Sequence, residues 1–270
     1  MNGWMDKHNW MTGLSVNSFY NCHSTTQPFT HSISSEFKNV LYQMPVQTLF
    51  PVYLQCKFML KVNEIYYSIQ GESTKAGLPC VFIRLTYCNL RCSYCDTEYA
   101  FYEGKDLPVE EILTETKKYN CDLVELTGGE PLVQSESLEL MKLLCDNGYE
   151  VLLETSGSLP IENVDPRVKI IMDLKTPSSN MEKKNLYENI SFLKKSDEVK
   201  FVLGSREDYE WTKTILVRYD LQNKCEILFS VVFGKLEPAT MVKWILEDNL
   251  QIRFQLQMHK FIWHPEQKGV

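Results

Sequence analysis

With 270 residues, 44% of them hydrophobic and 23% charged, the chain has enough apolar content for a full core, which excludes a disulfide-stapled miniprotein. Its formal net charge of -7 presents no basic surface to nucleic acid or to an anionic membrane. No run approaches the ~20 apolar residues of a spanning helix, and the N-terminus lacks the pattern of a secretory leader, so a soluble cytoplasmic protein without nucleic-acid or membrane partners is expected.

Residues 1–58 differ in texture from the rest. They are rich in Asn, Ser, Thr and His and keep neither a helical nor a strand period, so an irregular or weakly packed N-terminal extension is expected, with the working domain spanning 59–270. The apolar stretch "LYQMPVQTLFPVYLQCKF" is broken by Pro45 and Pro51. His8, Cys22, His23 and His31 lack the second spaced pair that a metal site would need.

From Met59 onward, strand and helix signals alternate. "LKVNEIYYSI" and "CVFIRLTY" read as strands; in the second, Val81, Ile83 and Leu85 face one way and Phe82, Arg84 and Thr86 the other. "LPVEEILTETKKYN" predicts a helix with Pro108 at its first position and Val109, Ile112, Leu113 and Thr116 on one face. The buried strand "DLVEL" runs into "TGGEP", and "SESLELMKLLCDNG" predicts a helix closed by Gly148. Strands "YEVLLET", "VKIIMDL", "EVKFVLG", "CEILFSVV" and "IRFQLQ" follow, with helices near 181–195, 205–219 and 238–248. This is the pattern of parallel βα units, an α/β chain that closes into a full or partial (βα) barrel of the TIM type. The active site of such a barrel lies at the C-terminal ends of its strands, where "CNLRCSYCDT", "TGGEP", "ETSGS" and "DLKTPSS" would converge.

Nine cysteines are many for a reducing compartment. Cys80, Cys121, Cys145 and Cys225 sit among apolar residues and read as small core residues. Cys88, Cys92 and Cys95 fall at C-x3-C-x2-C spacing in a polar loop. A zinc site wants four ligands, usually as two separated pairs, and no second pair accompanies these. Three thiolates from one loop suit three corners of a [4Fe-4S] cluster, leaving one iron open to bind something.

The cysteine loop after a strand, followed by "GGE" at the end of the next, resembles the radical S-adenosylmethionine (SAM) superfamily. "EIYYSIQGESTKAGLPCVFIRLTYCNLRCSYCDTEYAF" and the terminal "QMHKFIWHPEQKGV" resemble, within it, the 7-carboxy-7-deazaguanine synthase family over 59–270. The resemblance implies a lyase that uses a [4Fe-4S] cluster, SAM and Mg2+ to convert 6-carboxy-5,6,7,8-tetrahydropterin to 7-carboxy-7-deazaguanine with loss of ammonia, in queuosine and 7-deazapurine biosynthesis. It also implies a homodimer and an electron donor such as flavodoxin or ferredoxin.

Residue by residue, the resemblance assigns the cluster to Cys88, Cys92 and Cys95 and Mg2+ to Thr97. It assigns SAM to Ser93, Tyr94, Cys95, Gly129 and Glu130, with Gly128 beside them, and to Glu154, Thr155, Ser156, Gly157, Lys175 and Ser178. Substrate falls to Ile69, Gln70, Gly71, Glu72, Arg84, Thr127 and Val270, with His259 and Lys260 in the tail near it. No acid or base is assigned, because the radical comes from SAM. Two other readings stay open: a different radical SAM enzyme such as a glycyl-radical activase, and a non-catalytic iron-sulfur or zinc protein.

Overall fold

The computed structural model describes residues 58–265 and 267–270; the expectations for the extension, its prolines and its His and Cys residues lie outside the described residues. Among the described residues, one sheet of nine strands runs in the order β3-β1-β2-β4-β5-β6-β7-β8-β9. The strands are β1 (Met59–Ile69), β2 (Pro79–Leu85), β3 (Lys105–Pro108), β4 (Leu123–Gly128), β5 (Glu150–Thr155), β6 (Lys169–Asp173), β7 (Glu198–Leu203), β8 (Glu226–Val231) and β9 (Arg253–Phe254). From β2 through β4 to β9 neighbours pair in parallel, giving the barrel-like curl expected, with β3 and β9 as its two edges.

The start of the sheet departs from the βα pattern. β1 is antiparallel to β2, because the connection 70–78 is too short for a crossover helix, and it is antiparallel also to β3 on its other side. The predicted helix at 107–120 starts later: Pro108 is extended (φ -61°, ψ 145°) and pairs with Met59, and α1 is Val109–Thr116. Its buried face is Val109, Ile112, Leu113 and Thr116, as the spacing predicts. α2 (Ser137–Asp146) buries Leu140, Met141 and Leu144, and Gly148 beyond it takes the left-handed conformation (φ 88°) that glycine adopts without a Cβ clash.

No α-helix forms near 181–195. The stretch makes short 3-10 turns, Glu182–Lys184 and Tyr187–Phe192, because its asparagines bond to neighbouring backbone instead of leaving their own main chain to propagate a helix. Asn189 donates to the carbonyls of Gly157 (3.1 Å) and Leu159 (2.8 Å), and Asn185 bonds both backbone groups of Lys175. α3 (Arg206–Tyr219) is capped by Ser205, whose hydroxyl accepts from the Asp208 N–H at 3.1 Å. α4 (Leu221–Lys224) and α5 (Pro238–Glu247) flank β8; "IRFQLQ" contributes only Arg253 and Phe254 as β9. A short α6 (His259–Ile262) precedes the tail. Among the described residues no helix is long and apolar enough to cross a membrane.

The strand alternation makes two cores. Outward residues such as Val81, Ile83, Leu85, Val124, Leu126, Leu153 and Phe201 pack against the helices. Inward residues Cys80, Phe82, Leu123, Leu152 and Ile171 form a smaller apolar layer in the concave interior. Each fully buried aliphatic side chain contributes roughly 1.5–3 kcal/mol. Cys80 and Cys225 are buried, whereas Cys121 and Cys145 are half-buried at the margin of the helix-side core.

Candidate functional site

Above the inner apolar layer, the same inward positions turn polar. Phe82 gives way to Arg84, Leu123 to Glu125 and Thr127, Leu152 to Glu154, and Ile171 to Asp173; Lys200 continues the pattern on β7, with the apolar Val202 beyond it. These side chains line a cavity of about 920 Å³ at the C-terminal ends of the parallel strands.

Most of the expected site residues meet there. Ile69, Gln70, Gly71 and Glu72 enter from the β1–β2 turn, Arg84 from β2, Thr127, Gly128 and Gly129 from β4, and Glu154, Thr155 and Ser156 from β5. Lys175 follows β6, and His259, Lys260 and Val270 close one side. Cys88, Cys92, Tyr94, Cys95 and Thr97 come from the loop after β2, which is turned by Tyr87 in a left-handed conformation (φ 75°). Thr97 precedes the 3-10 turn Glu98–Phe101 without capping it; its hydroxyl lies 3.7 Å from the Cys95 sulfur.

Four expected residues stand outside the lining and hold it in place. Glu130, expected at an ammonium group of SAM, is fully buried. Its carboxylate accepts from the Ser156 N–H (2.7 Å) and hydroxyl (2.5 Å), from Thr155 Oγ1 (2.9 Å) and from the Leu132 N–H (3.1 Å). A buried carboxylate takes up such donors because leaving either side unpaired is costly. Ser93 ties the cysteine loop to the β6–β7 connection, its N–H to Ser179 O at 3.0 Å and its hydroxyl to Ser178 O at 2.5 Å. The Ser178 N–H in turn donates to Asp208 Oδ1 at 2.8 Å, and Gly157 provides the left-handed bend (φ 66°) after Ser156.

The three thiols suit a cluster. Among the described residues, no three His, Cys, Asp or Glu side chains gather on one point as a mononuclear metal would require, and the three sulfurs face one cavity from one loop. Burial raises the Cys92 thiol to about 11, opposed by the Lys175 ammonium, and raises Cys88 for the same reason. Lys175 is thus the nearby cation that favours thiolates once iron binds. Its own pKa is held up, against burial, by Asp173 at 2.9 Å.

The opposite side of the cavity is acidic and aromatic. Tyr66 stacks on Phe82 (centroids 5.0 Å) and its hydroxyl accepts from Arg84 at 2.9 Å; Glu64 takes the Arg84 Nε–H at 2.8 Å. Burial pulls against the guanidinium charge, and Tyr66, Tyr99 and Glu64 more than restore it. Lys200 donates to Glu72 at 3.0 Å and to the Glu154 carboxylate, with Asp173 at 3.8 Å. Burial raises the Glu72 carboxyl, but Lys200, the Gln257 amide and His259 overcome it and set it at about 2. Glu125 goes the other way: burial and the adjoining Glu154 carboxylate raise it well above the usual carboxylate range, and Gln70 donates to it.

The C-terminal segment covers this side. Met258 N–H donates to Gly71 O at 2.9 Å, and a Cβ on Gly71 would lie 3.2 Å from the His259 nitrogen, so glycine is what lets the segment lie on the turn. Gln257 reaches Glu72 (3.0 Å), Lys260 reaches Asp96 (2.6 Å) in the cysteine loop, and Lys268 stands 4.1 Å over the Tyr99 ring. Burial lowers the pKa of His259.

Comparison with known proteins separates fold from family. A profile for the Radical SAM superfamily matches residues 82–190. The crystal structure of QueE from Escherichia coli covers 77% of this chain and 98% of its own with a TM-score of 0.63, at 23% identity, and supports the fold. A 7-carboxy-7-deazaguanine synthase of Chlorobaculum tepidum is 45% identical over 214 residues, covering 78% of this chain and 97% of the relative. The chain belongs to the 7-carboxy-7-deazaguanine synthase family. The relative of that name from Koribacter versatilis is 43% identical over 226 residues and is covered over 100% of its length.

The motifs do not point to the deepest charged residues of the cavity: Lys200 and Glu125, each 3% exposed, and Asp173 lie in runs that read as apolar strands. Their signal is a charge within the apolar run of "EVKFVLG", of "DLVEL" and of "VKIIMDL", where a strand buried on both faces has no use for one unless its inward face lines a site.

Proposed function

We propose that this chain converts 6-carboxy-5,6,7,8-tetrahydropterin to 7-carboxy-7-deazaguanine and ammonia. The observation that carries the reading is the sharing of one cavity by three thiols of one loop and, across from them, by Arg84, Gln70, Glu72 and Glu154. Cys88, Cys92 and Cys95 would hold a [4Fe-4S] cluster, with SAM against Tyr94, Gly129, Thr155, Ser156 and Lys175. When bound, cluster and SAM supply a 5'-deoxyadenosyl radical, the chemistry that these side chains lack.

The chain's part is to bind, orient and keep water out. Tyr66 and Phe82 offer a flat floor for a pterin ring. Glu154, expected at SAM, is instead assigned to the substrate because Lys200 pairs it with Glu72, and the two glutamates offer acceptors to the amino and ring N–H donors. Arg84, oriented by Glu64 and Tyr66, directs its planar fork at substrate oxygens. Thr97 would join the substrate carboxylate in an oxygen shell for Mg2+. The tail ending at Val270 shields the bound ring. Residues 59–270 form the catalytic unit, acting in the cytoplasm as a homodimer, reduced by a one-electron donor such as flavodoxin or ferredoxin and feeding queuosine and related 7-deazapurines.

The test is one anaerobic incubation of the reconstituted chain with SAM, dithionite, Mg2+ and the pterin, read by mass spectrometry. Formation of 7-carboxy-7-deazaguanine is expected. Release of 5'-deoxyadenosine with the pterin untouched would overturn the substrate assignment and leave a different radical SAM enzyme.

A further inference from the structure

Lys200 occupies an unusual place for a lysine, in the middle of β7, 3% exposed, with its ammonium beneath the cavity. Its partners come from three separate elements: Glu72 from the β1–β2 turn, Glu154 from the end of β5 and Asp173 from β6. Asp173 already has Lys175 at 2.9 Å, so Lys200 chiefly answers the two glutamates. A third acid, Glu125, adjoins Glu154 from β4, and Gln70 links it back to the turn by donating to Glu125 and accepting from the Glu72 N–H at 3.0 Å. The result is a polar layer across the barrel between the apolar layer of Phe82, Leu152 and Ile171 and the open cavity.

Such a layer is an expensive way to fill a barrel. An ion pair buried in a dry interior rarely stabilises more than apolar side chains of similar volume would, so stability alone gives no reason for it. What it provides is direction: two long glutamates on different elements, each able to adopt several rotamers, are drawn to one point.

We propose that Lys200 is a positioning residue for the pterin, fixing Glu72 and Glu154 as a matched pair of acceptors for the amino and N–H edge of the ring. The inference rests on the substrate reading above. Without the ammonium, the two carboxylates repel, and the acceptors that distinguish a pterin from a ring lacking that edge separate. SAM, bound from the cysteine-loop side, keeps its contacts.

The experiment uses full-length, cluster-reconstituted protein with Lys200→Met and Lys200→Arg substitutions, under anaerobic conditions. Expected for Lys200→Met is a rise of about tenfold or more in KM for 6-carboxy-5,6,7,8-tetrahydropterin, since breaking a buried charge pair strands its partners. KM for SAM should stay within about twofold and iron content should stay at the parent level, while 5'-deoxyadenosine per product rises because the radical outlives a loosely held substrate. Lys200→Arg, which keeps the charge, should recover part of the pterin KM. A pterin KM within about twofold of the parent in Lys200→Met would overturn the proposal, as would parallel rises in both KM values with a lowered Tm, the sign of a merely structural strut. If Lys200→Met fails to fold, Lys200→Arg decides: a raised pterin KM at unchanged SAM KM and Tm supports positioning, and unchanged values for both substrates refute it. A parent chain that cleaves SAM but leaves the pterin intact removes the substrate reading itself, whatever Lys200 does.

Discussion

Replacement of Gly129 by alanine tests how the β4 end and the cysteine loop are held together. A Cβ at this position would lie 2.7 Å from the Tyr87 carbonyl carbon and 2.8 Å from the Cys88 Cβ, and closer still to the Tyr87 oxygen. Ordinary contact begins at 3.4 Å, so the loop must retreat by roughly 0.7 Å or more. Retreat is opposed by the Glu130 N–H, which donates to that same Tyr87 oxygen at 2.8 Å, and by the Gly129 N–H, which donates to Leu85 O at 3.2 Å. Overpacking of this kind costs about 1–3 kcal/mol, and at this size each kcal/mol moves Tm by roughly 2–4 °C. The displaced residue, Cys88, is a proposed cluster ligand, so the functional loss should exceed the stability loss. Iron and sulfide per chain after anaerobic reconstitution should fall well below the parent while far-UV circular dichroism is retained. A Gly129→Ala chain with parental iron, sulfide and Tm would refute the claim that this glycine is required by the close approach of the two loops.

Three further outcomes are expected. Glu130→Ala strands the Thr155 and Ser156 donors and should lower stability by about 3 kcal/mol or more, with a raised KM for SAM; a loss below about 1 kcal/mol in denaturant unfolding would show that the four hydrogen bonds carry little. Glu125 keeps its proton in the folded protein while the unfolded chain releases it above pH ~4.3, so its favourable contribution is present below that pH and lost as pH rises toward the raised folded value. Glu125→Gln, which does not titrate, should therefore gain Tm relative to the parent as pH rises above the ordinary carboxylate range, and a difference independent of pH would contradict a raised Glu125. Thr97→Ala should weaken the response of activity to Mg2+ and leave the cluster absorbance intact; an unchanged Mg2+ titration would remove Thr97 from the metal shell.

Local sequence determined more here than it often does. The C-x3-C-x2-C loop, the apolar runs of the parallel strands and the face of α1 depend only on neighbours in the chain, and they appear where spacing puts them. Alternation in "CVFIRLTY" separated Val81, Ile83 and Leu85 from Phe82 and Arg84, and the sheet sends the first set to the helices and the second to the interior. What lay beyond reach was decided by partners far away in sequence. Residues 181–195 have helical composition, yet Asn185 and Asn189 satisfy loops that no local pattern reveals. Glu130 stands in a motif suggesting an outward anion; its Leu132 N–H partner is local, and only the fold of β5 against β4 supplies the three Thr155 and Ser156 donors that turn it inward. Lys200 was legible as an oddity but not as the centre of the polar layer: its three carboxylates lie 27 to 128 residues away, and only closure of the sheet brings them to one ammonium.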